Sequence, residues 1–459
     1  MSEHYDAIVI GAGQAGPPLA ERLGKAGHRT AIIERHLLGG TCVNVGCIPT
    51  KTLVGSARIA HLARQAADFG VLIEAPVGVD MARVKARKDE VAGGSNAGVT
   101  AWVTGMENVT LIRGHARFDG PRSVTVNGET LTADRFFIDV GARARVPDFP
   151  GLDQVDYLTN SSMMEVDFLP QHLLIVGGSY IGLEFAQIYR RFGAEVTVVE
   201  MHDRLIGRED EDVSAAVQEI LEGEGVTLRL GAECLAFERG PMGVRMNTDC
   251  DKDSTPLDGS HVLLAVGRVP NTHDLGLEHA GVETDERGFI PVDDQLQTSA
   301  DGIWALGEVN ARGAFTHTSY NDFEIIAANL LDDDPRRVSD RIPCYGLFID
   351  PPLGRIGMTE NQVRASGRPA LIGTRPMSRV GRAREFGDTR GFMKILVDAE
   401  TEEILGASLL GMSGDEAVHC LLDVMYAGQP YTTISRAVHI HPTVSELIPT
   451  VLQSLTPLE

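Results

Sequence analysis

The sequence has no apolar run that could cross a bilayer, which takes about 18 consecutive apolar residues. Its first apolar stretch, AIVIGAG (7–13), follows Glu3 and Asp6 rather than a basic segment, so it does not read as a secretion signal. A cytoplasmic chain with no membrane partner is expected. Positive charge is also short: 41 Lys and Arg stand against 64 Asp and Glu, a formal net charge of −23. Such a surface repels nucleic acid and anionic membranes, so no nucleic-acid partner is expected. Cysteine is sparse, with six in 459 residues. That is too few for a disulfide framework, and Cys234, Cys250, Cys344 and Cys420 are scattered and read as ordinary thiols. Only Cys42 and Cys47 lie close together. In a reducing compartment a close pair points to catalysis or metal binding rather than to a structural bridge.

What is present is a repeat. DAIVIGAGQAG (6–16) reads as a buried strand running into a Gly-rich turn, followed by a helix to about Gly27 and a second strand, RTAIIE, ending on Glu34. Residues 173–200 repeat the design with LLIVGG, the turn GGSYIG, a helix to about Gly193 and VTVVE ending on Glu200. The spacing from first glycine to terminal glutamate is the same in both copies: 34 − 11 = 23 and 200 − 177 = 23. This is the dinucleotide-binding βαβ pattern. Gly11, Gly13 and Gly16, and in the second copy Gly177, Ser179 and Gly182, let the backbone turn tightly and approach a pyrophosphate at a helix N-terminus. The terminal acid accepts hydrogen bonds from a ribose hydroxyl. Two such sites imply one tightly held cofactor and one exchanging cosubstrate. Glu200 suits NADH, with NADPH the alternative and Arg204 the nearest arginine for a 2′-phosphate. Pro17 and Pro18 lack an N–H, so a loosened start to the first helix is expected.

Cys42 and Cys47 sit in GGTCVNVGCIPTK (39–51), at the expected start of a helix. On a regular helix, positions i and i+5 are about 7.5 Å apart in rise and point about 140° apart. A disulfide needs Cα atoms within about 7 Å. A bridge here therefore requires a distorted first turn, which Gly46 permits. Strained bridges are more oxidising, so the spacing argues for a disulfide that cycles. Lys51 follows Cys47 by one helical turn, where its ammonium would favour a thiolate.

Taken together these motifs resemble the pyridine nucleotide–disulfide oxidoreductases, the group that includes dihydrolipoamide dehydrogenase, glutathione reductase and mercuric reductase. The resemblance spans essentially the whole chain. Besides GGTCVNVGCIPTK it rests on VGRVPNT (266–272), TSADGIWALGEV (298–309) and HIHPTVSE (439–446). It implies an α/β fold with two Rossmann-like dinucleotide-binding domains, for FAD and NAD, and a C-terminal α+β dimerisation domain. The implied divisions are 1–147 with 270–340 for FAD, 148–269 for NAD(P) and 341–459 for the interface. It also implies roles. Cys47 faces the flavin, Cys42 meets the acceptor, and Lys51 pairs with Glu184. His441 is the acid/base, oriented by Glu446, and reaches the cysteines of the other subunit, so the enzyme is a homodimer. FAD would be held by Gly11, Gly13, Gly16, Glu34, Gly40, Thr41, Lys51, Ala116, Gly141 and Glu308. Gly177, Ser179, Tyr180, Gly182, Glu200 and Gly267 would hold NADH, with Tyr180 either gating the nicotinamide or simply packing. No resident metal is implied. Two departures stand out: Glu308 replaces the usual aspartate of the second FAD motif, and Asp139-Val140-Gly141 replaces a more usual Thr-Gly.

The acceptor is the open choice. A dithiol beside a flavin can reduce a small disulfide or a soft metal ion. The segments IDPPLGRIGMTE (349–360) and SRVGRAREFGDTRGFMKI (378–395) resemble the mercuric reductase-like branch and the copper(II) reductases. No cysteine follows Cys420, however, and no N-terminal metal-binding domain is expected, which counts against efficient mercury reduction. HIHPTVSE also fits dihydrolipoamide dehydrogenase. Cys42 argues against the soluble transhydrogenases, which lack the first cysteine. A flavin-bound redox sensor that no longer turns over is the reading from another class. The retained Cys42, Cys47, Lys51, Glu184, His441 and Glu446 argue against it.

Overall fold

The structure is a computed structural model that describes residues 3–248 and 255–459, so Cys250 lies outside the described residues. The chain opens with β1 (Glu3–Ile10), α1 (Gly16–Lys25) and β2 (Thr30–Glu34), then the redox helices α2 (Gly40–Asn44) and α3 (Cys47–Gln65) and the long α4 (Met81–Thr104). Next come β3 (Val109–Arg113) and the antiparallel run β4 (Arg117–Gly120), β5 (Ser123–Val126) and β6 (Glu129–Ile138). β1 pairs in parallel with both β2 and β6, so the sheet runs β3-β2-β1-β6-β5-β4. Alternate residues of β1 serve the two faces. Ile8 and Ile10 pack with Phe136 and Ile138 on one side, and Ala7 and Val9 pack with Leu19, Leu23 and Phe137 on the other. Each buried Ile or Phe contributes roughly 1.5–3 kcal/mol. The uninterrupted apolar AIVI therefore marks a strand covered on both faces.

The expected loosening at Pro17 and Pro18 does not occur. α1 begins at Gly16, which places both prolines in the first turn, and Leu19 N–H reaches Ala15 O at 3.2 Å. The amides the prolines lack are ones a helix start leaves unpaired anyway.

Beyond the short β7 (Ala142–Ala144) a second unit repeats the first. It contains β8 (Tyr157–Leu158), β9 (His172–Val176), α5 (Tyr180–Phe192), β10 (Glu195–Val199), α6 (Glu211–Gly223) and β11 (Thr227–Arg229). After the small sheet β12 (Ala236–Gly240), β13 (Gly243–Asn247) and β14 (Leu257–Gly259), β15 (His261–Leu264) completes a parallel sheet in the order β11-β10-β9-β15-β8. The chain then returns to the first unit. β16 (Arg268–Pro270) pairs with β7; after α7 (Leu277–Ala280), β17 (Ile303–Ala305) joins β6; and α8 (Thr316–Ala327) packs its Phe323 and Ile326 with Leu19 and Leu23 of α1.

The C-terminal sheet is antiparallel. It is built from β18 (Cys344–Leu347), β19 (Leu353–Gly357), β20 (Ala370–Pro376), β21 (Phe392–Asp398), β22 (Ile404–Leu410) and β23 (Thr456–Pro457), in the order β18-β19-β22-β21-β20-β23. Arg355, Ser408 and Lys394 form a row across β19, β22 and β21 and are all buried. The row meets the acidic start of α6: Lys394 Nζ lies 3.0 Å from Asp210 and 2.7 Å from Asp212, and Arg355 lies 3.5 Å from Glu209. A second buried set joins α5 to the C-terminal unit, with Arg191 2.6 Å from both Glu224 and Asp350. Buried charges hold when paired and hydrogen-bonded, as Lys394 and Arg191 are, so these two sets fix the second unit against the C-terminal one.

One reading of the cysteines is corrected. Cys234 is disulfide-bonded rather than an ordinary thiol, because scatter along a chain does not report distance in space. Cys344 and Cys420 are free and half-buried, as expected.

Candidate active site

The redox segment is not one helix. α2 ends at Asn44, and α3 starts at Cys47, with Val45 and Gly46 between them. The break brings the i, i+5 pair together, and both are free thiols in this structure. Gly46 is required by close approach, since a Cβ there would lie 2.7 Å from Thr41 O. Asn160 Nδ2 donates to Val45 O at 3.1 Å, satisfying a carbonyl freed by the break, while Asn44 Nδ2 donates to Leu38 O and Gly40 O.

The two thiols are not equivalent. A hydrogen bond from Cys42 pulls the Cys47 thiol down to about 6, outweighing its burial. Thr316 and the Lys51 ammonium help, and Glu184 opposes. Cys42 moves the other way, raised first by that same hydrogen bond and then by burial. The reduced pair therefore carries its charge on Cys47 and its proton on Cys42. Thr316 Oγ1 lies 3.4 Å from Cys47 Sγ.

Lys51 Nζ, one turn along α3, donates to both oxygens of Glu184 at 2.7 and 2.9 Å and lies 4.6 Å from the centre of the Phe348 ring. Glu184 on α5 is buried and also accepts from Phe348 N–H at 3.1 Å. His441 Nδ1 lies 2.9 and 3.1 Å from the two oxygens of Glu446. The imidazole is 80% exposed and Glu446 only 17%, so the carboxylate is anchored and the ring projects outward. Among the described residues no hydrogen bond joins His441 to either thiol of its own chain. Val438 and Ile440 beside it are 100% and 80% exposed.

The two Gly-rich turns match almost atom for atom. A Cβ on Gly11 would lie 2.2 Å from Asp139 O, and one on Gly177 would lie 2.4 Å from Ala265 O. A Cβ on Gly16 would meet Gly11 O at 2.3 Å, and one on Gly182 would meet Gly177 O at 2.0 Å. Glu34 accepts from Ala12 N–H at 2.9 Å and His36 N–H at 2.7 Å; Glu200 accepts from Gly178 N–H at 2.6 Å and His202 N–H at 3.0 Å. The middle positions differ for a reason. A Cβ on Gly13 would lie 2.9 Å from the Asp139 carboxylate, whereas Ser179 is exposed on extended backbone just before α5. Gly40 packs on Gly13, where a Cβ would lie 2.9 Å from Gly13 Cα, and Gly39 N–H donates to Ala12 O. Thr41 and the thiols are thereby docked against the first turn. Asp139 is buried, accepts from Gly16 N–H at 2.8 Å, and is pushed well up by that burial.

Other expected residues are spread around this centre. Ala116 is buried beyond β3, Gly141 accepts from Asn271 N–H at 3.0 Å, and Gly267 accepts from Arg145 N–H at 2.9 Å. Glu308 is paired with Arg268 at 2.6 Å. Tyr180 donates to Glu209 at 2.9 Å, sharing that oxygen with Tyr345, and stands edge-on to Phe315. Sequence reasoning missed Thr316, Phe348 and Glu209. It also missed Arg382, whose guanidinium donates twice to Pro442 O beside His441, at 2.5 and 3.2 Å. No local pattern marks any of them, because each is far in sequence from the group it touches.

Comparison with known proteins agrees with this geometry. The pyridine nucleotide-disulphide oxidoreductase family model matches residues 5–322, and the family's dimerisation-domain model matches 344–452. The chain belongs to this family. It is 37% identical over 451 residues to the probable pyridine nucleotide-disulfide oxidoreductase RclA of Escherichia coli, covering 96% of this chain and 97% of that protein. It is 34% identical to a dihydrolipoyl dehydrogenase of Thermus scotoductus (96% and 95% covered) and 31% identical to a mercuric reductase of Staphylococcus aureus (90% and 76%). A solved Cu(II) complex of the HOCl-induced flavoprotein disulfide reductase RclA from Escherichia coli superimposes with a TM-score of 0.90 at 35% identity, covering 99% of both chains.

Proposed function

We propose that this member of the pyridine nucleotide-disulphide oxidoreductase family is an FAD-dependent NAD(P)H oxidoreductase that passes electrons through the Cys42–Cys47 pair to a small disulfide or a soft metal ion. The carrying observation is the placement of the Cys42–Cys47 pair at the break between two helices, docked on the first Gly-rich turn beside the Lys51–Glu184 ion pair, where the Cys47 thiol is lowered and Cys42 raised.

The first turn fits a dinucleotide. The helix α1 presents its N-terminus there, Glu34 closes the turn, and a side chain at Gly11 or Gly16 would strike backbone. Gly11, Gly13, Gly16, Glu34, Gly40, Thr41, Ala116 and Gly141 would hold FAD, with Lys51 alongside and Glu308 acting together with Arg268. Bound FAD would supply hydride acceptance from NADH and two-electron reduction of the disulfide. Gly177, Ser179, Tyr180, Gly182, Glu200 and Gly267 would hold the cosubstrate. NADH is favoured over NADPH because Glu200 closes the second turn, and Arg204 is turned away to Gly207 O at 3.0 Å.

The protein groups do the rest. Opening the bridge with two electrons and one proton leaves Cys47 as thiolate and Cys42 as thiol. Cys42 is raised and so needs a base. His441 of a second copy, oriented by Glu446, removes its proton. On a disulfide acceptor the Cys42 thiolate attacks one sulfur and expels the other as thiolate, which takes that proton back. The Cys47 thiolate then attacks Cys42, re-forms the bridge and expels the second sulfur as a thiolate, which takes its proton from solvent. A soft metal ion would instead be bound by the two sulfurs, which give up two electrons as their bridge re-forms, enough for one Hg(II) to Hg(0) or two Cu(II) to Cu(I). Proton handling by a His–Glu pair particularly suits a dithiol or disulfide substrate, which keeps dihydrolipoamide dehydrogenase as the second reading.

A homodimer is supported by the family's dimerisation domain, the outward His441 and the bare Val438 and Ile440. The same reading assigns 1–147 with 270–340 to FAD, 148–269 to NAD(P)H and 341–459 to the interface, supported by the return of β17 to the first sheet. The test is NADH consumption by the purified protein with lipoamide, glutathione disulfide, Cu(II) and Hg(II). Turnover with at least one acceptor that is lost in Cys42→Ser is expected. Turnover that survives Cys42→Ser contradicts the proposal.

A further inference from the structure

Thr316 lies 269 residues from Cys47, in no segment that marks redox chemistry, yet its hydroxyl is 3.4 Å from the Cys47 sulfur. We propose that Thr316 is a catalytic residue of the dithiol centre: its hydroxyl donates a hydrogen bond to the ionised Cys47 sulfur and so helps decide which of the two thiols carries the negative charge. This rests on the Cys42–Cys47 pair being the redox centre and adds to it a third group.

A neutral Cys47 could donate to Thr316 or accept from it, but a thiolate can only accept. Once Cys47 ionises, the hydroxyl has one useful orientation, and a hydrogen bond to a charged acceptor is roughly twice as strong as a neutral one. The hydroxyl is within reach of both sulfurs and favours ionisation of each, but its single proton serves one sulfur at a time. Because Cys42 donates to Cys47 as well, the thiolate on Cys47 collects two donors, the Cys42 thiol and the Thr316 hydroxyl 3.4 Å away.

The groups facing Cys47 come from four elements. α2 contributes Cys42, α3 its own Lys51, α5 the Glu184 carboxylate and α8 Thr316. Lys51 and Glu184 are paired at 2.7 Å and act on Cys47 with opposite sign, so they offset one another in part. His317, the next residue of α8, is committed elsewhere: its Nε2 lies 2.6 Å from Cys344 O. The uncharged donors therefore decide the balance.

Thr316 is also held in place. It is the first residue of α8, a twelve-residue helix whose N-terminal dipole adds a small favourable field for a thiolate. Thr318 ties off the same turn, accepting from Phe315 N–H at 3.1 Å and donating to Phe315 O at 2.8 Å. The Phe315 ring stacks on those of His317 at 5.4 Å and Tyr345 at 5.5 Å. A hydroxyl on a loose loop would lose much of its effect to rotamer freedom; this one starts from a packed turn.

The test reads ionisation without turnover. Full-length protein, with and without FAD, is reduced with dithiothreitol, freed of it anaerobically and pulsed with iodoacetamide from pH 5 to 9. The label on Cys42 and Cys47 is then counted by peptide mass spectrometry. Thr316→Val and Thr316→Ala should raise the Cys47 midpoint by about one pKa unit, which at pH 6 lowers its alkylation rate about fivefold. The share of label on Cys42 should rise, and Thr316→Ser should restore the wild-type profile. An unchanged midpoint and label ratio in both Val and Ala variants overturns the proposal, as does a Thr316→Ser variant that behaves like Thr316→Val. Because no electron acceptor is involved, this outcome is separate from whether the pair cycles. A failure of the Cys42→Ser turnover test with a Thr316-dependent midpoint would refute the function and leave this contact standing.

Discussion

Lys51→Met and Glu184→Gln should move the Cys47 thiol in opposite directions, although the two variants break the same ion pair. Lys51 favours the Cys47 thiolate and Glu184 disfavours it. Removing the ammonium therefore leaves the carboxylate unopposed and raises Cys47 from about 6. Neutralising the carboxylate leaves the ammonium unopposed and lowers it. Lys51 is 33% exposed, so solvent screens the charge and the effective dielectric is high. A shift of about half to one pKa unit each way is expected, roughly 0.7–1.4 kcal/mol. Glu184→Gln keeps an oxygen for Phe348 N–H, so the fold should tolerate it. The assay is the pH dependence of the long-wavelength absorbance of the two-electron-reduced FAD-loaded protein. The midpoint should rise in Lys51→Met and fall in Glu184→Gln. Shifts of the same sign would refute the electrostatic reasoning, because loss of packing alone has no reason to distinguish the partners.

Arg191→Met should destabilise the chain by about 3–5 kcal/mol in urea unfolding, since it strips Glu224 and Asp350 of a buried partner. Glu224 resists its own burial only because Arg191 and Arg390 hold its carboxyl below the usual range. Its contribution is present above its unfolded pKa and lost as pH falls through the folded one, so the variant's deficit should shrink toward acid pH. Gly16→Ala, whose Cβ would meet Gly11 O at 2.3 Å, should abolish FAD retention on gel filtration. Gly55→Ala in α3, where a Cβ meets nothing within 4 Å, should instead stabilise by about 0.5–1 kcal/mol. Glu446→Gln should cut acceptor turnover about tenfold by freeing the His441 ring, while leaving reduction by NADH unchanged in stopped-flow traces.

The parts legible in the sequence are those whose constraint is local. Gly11, Gly16, Gly177 and Gly182 are demanded by backbone oxygens within their own units, and the 23-residue spacing places each glutamate back on its turn. The i, i+5 cysteine spacing foretold a broken helix, and the break falls at Val45-Gly46. Pro17 and Pro18 misled because a shift of one or two residues in a helix start decides whether a proline is harmless. Thr316, Phe348 and Glu209 were illegible because long-range contacts bring them to Cys47, Lys51 and Tyr180. Glu308 was recognised by position, but its pairing with Arg268 depends on how β16 returns to the first unit.

The proposed electron path requires Cys47 to be the thiolate that faces the bound flavin. Anaerobic addition of one equivalent of NADH to the purified FAD-loaded protein tests this directly. A long-wavelength charge-transfer band should appear in the wild type, should already be present in Cys42→Ser before any NADH is added because its Cys47 has no partner to bridge, and should be absent in Cys47→Ser. A band that survives Cys47→Ser, or that fails to form in wild-type protein whose bridge has been opened and whose flavin is oxidised, would contradict it.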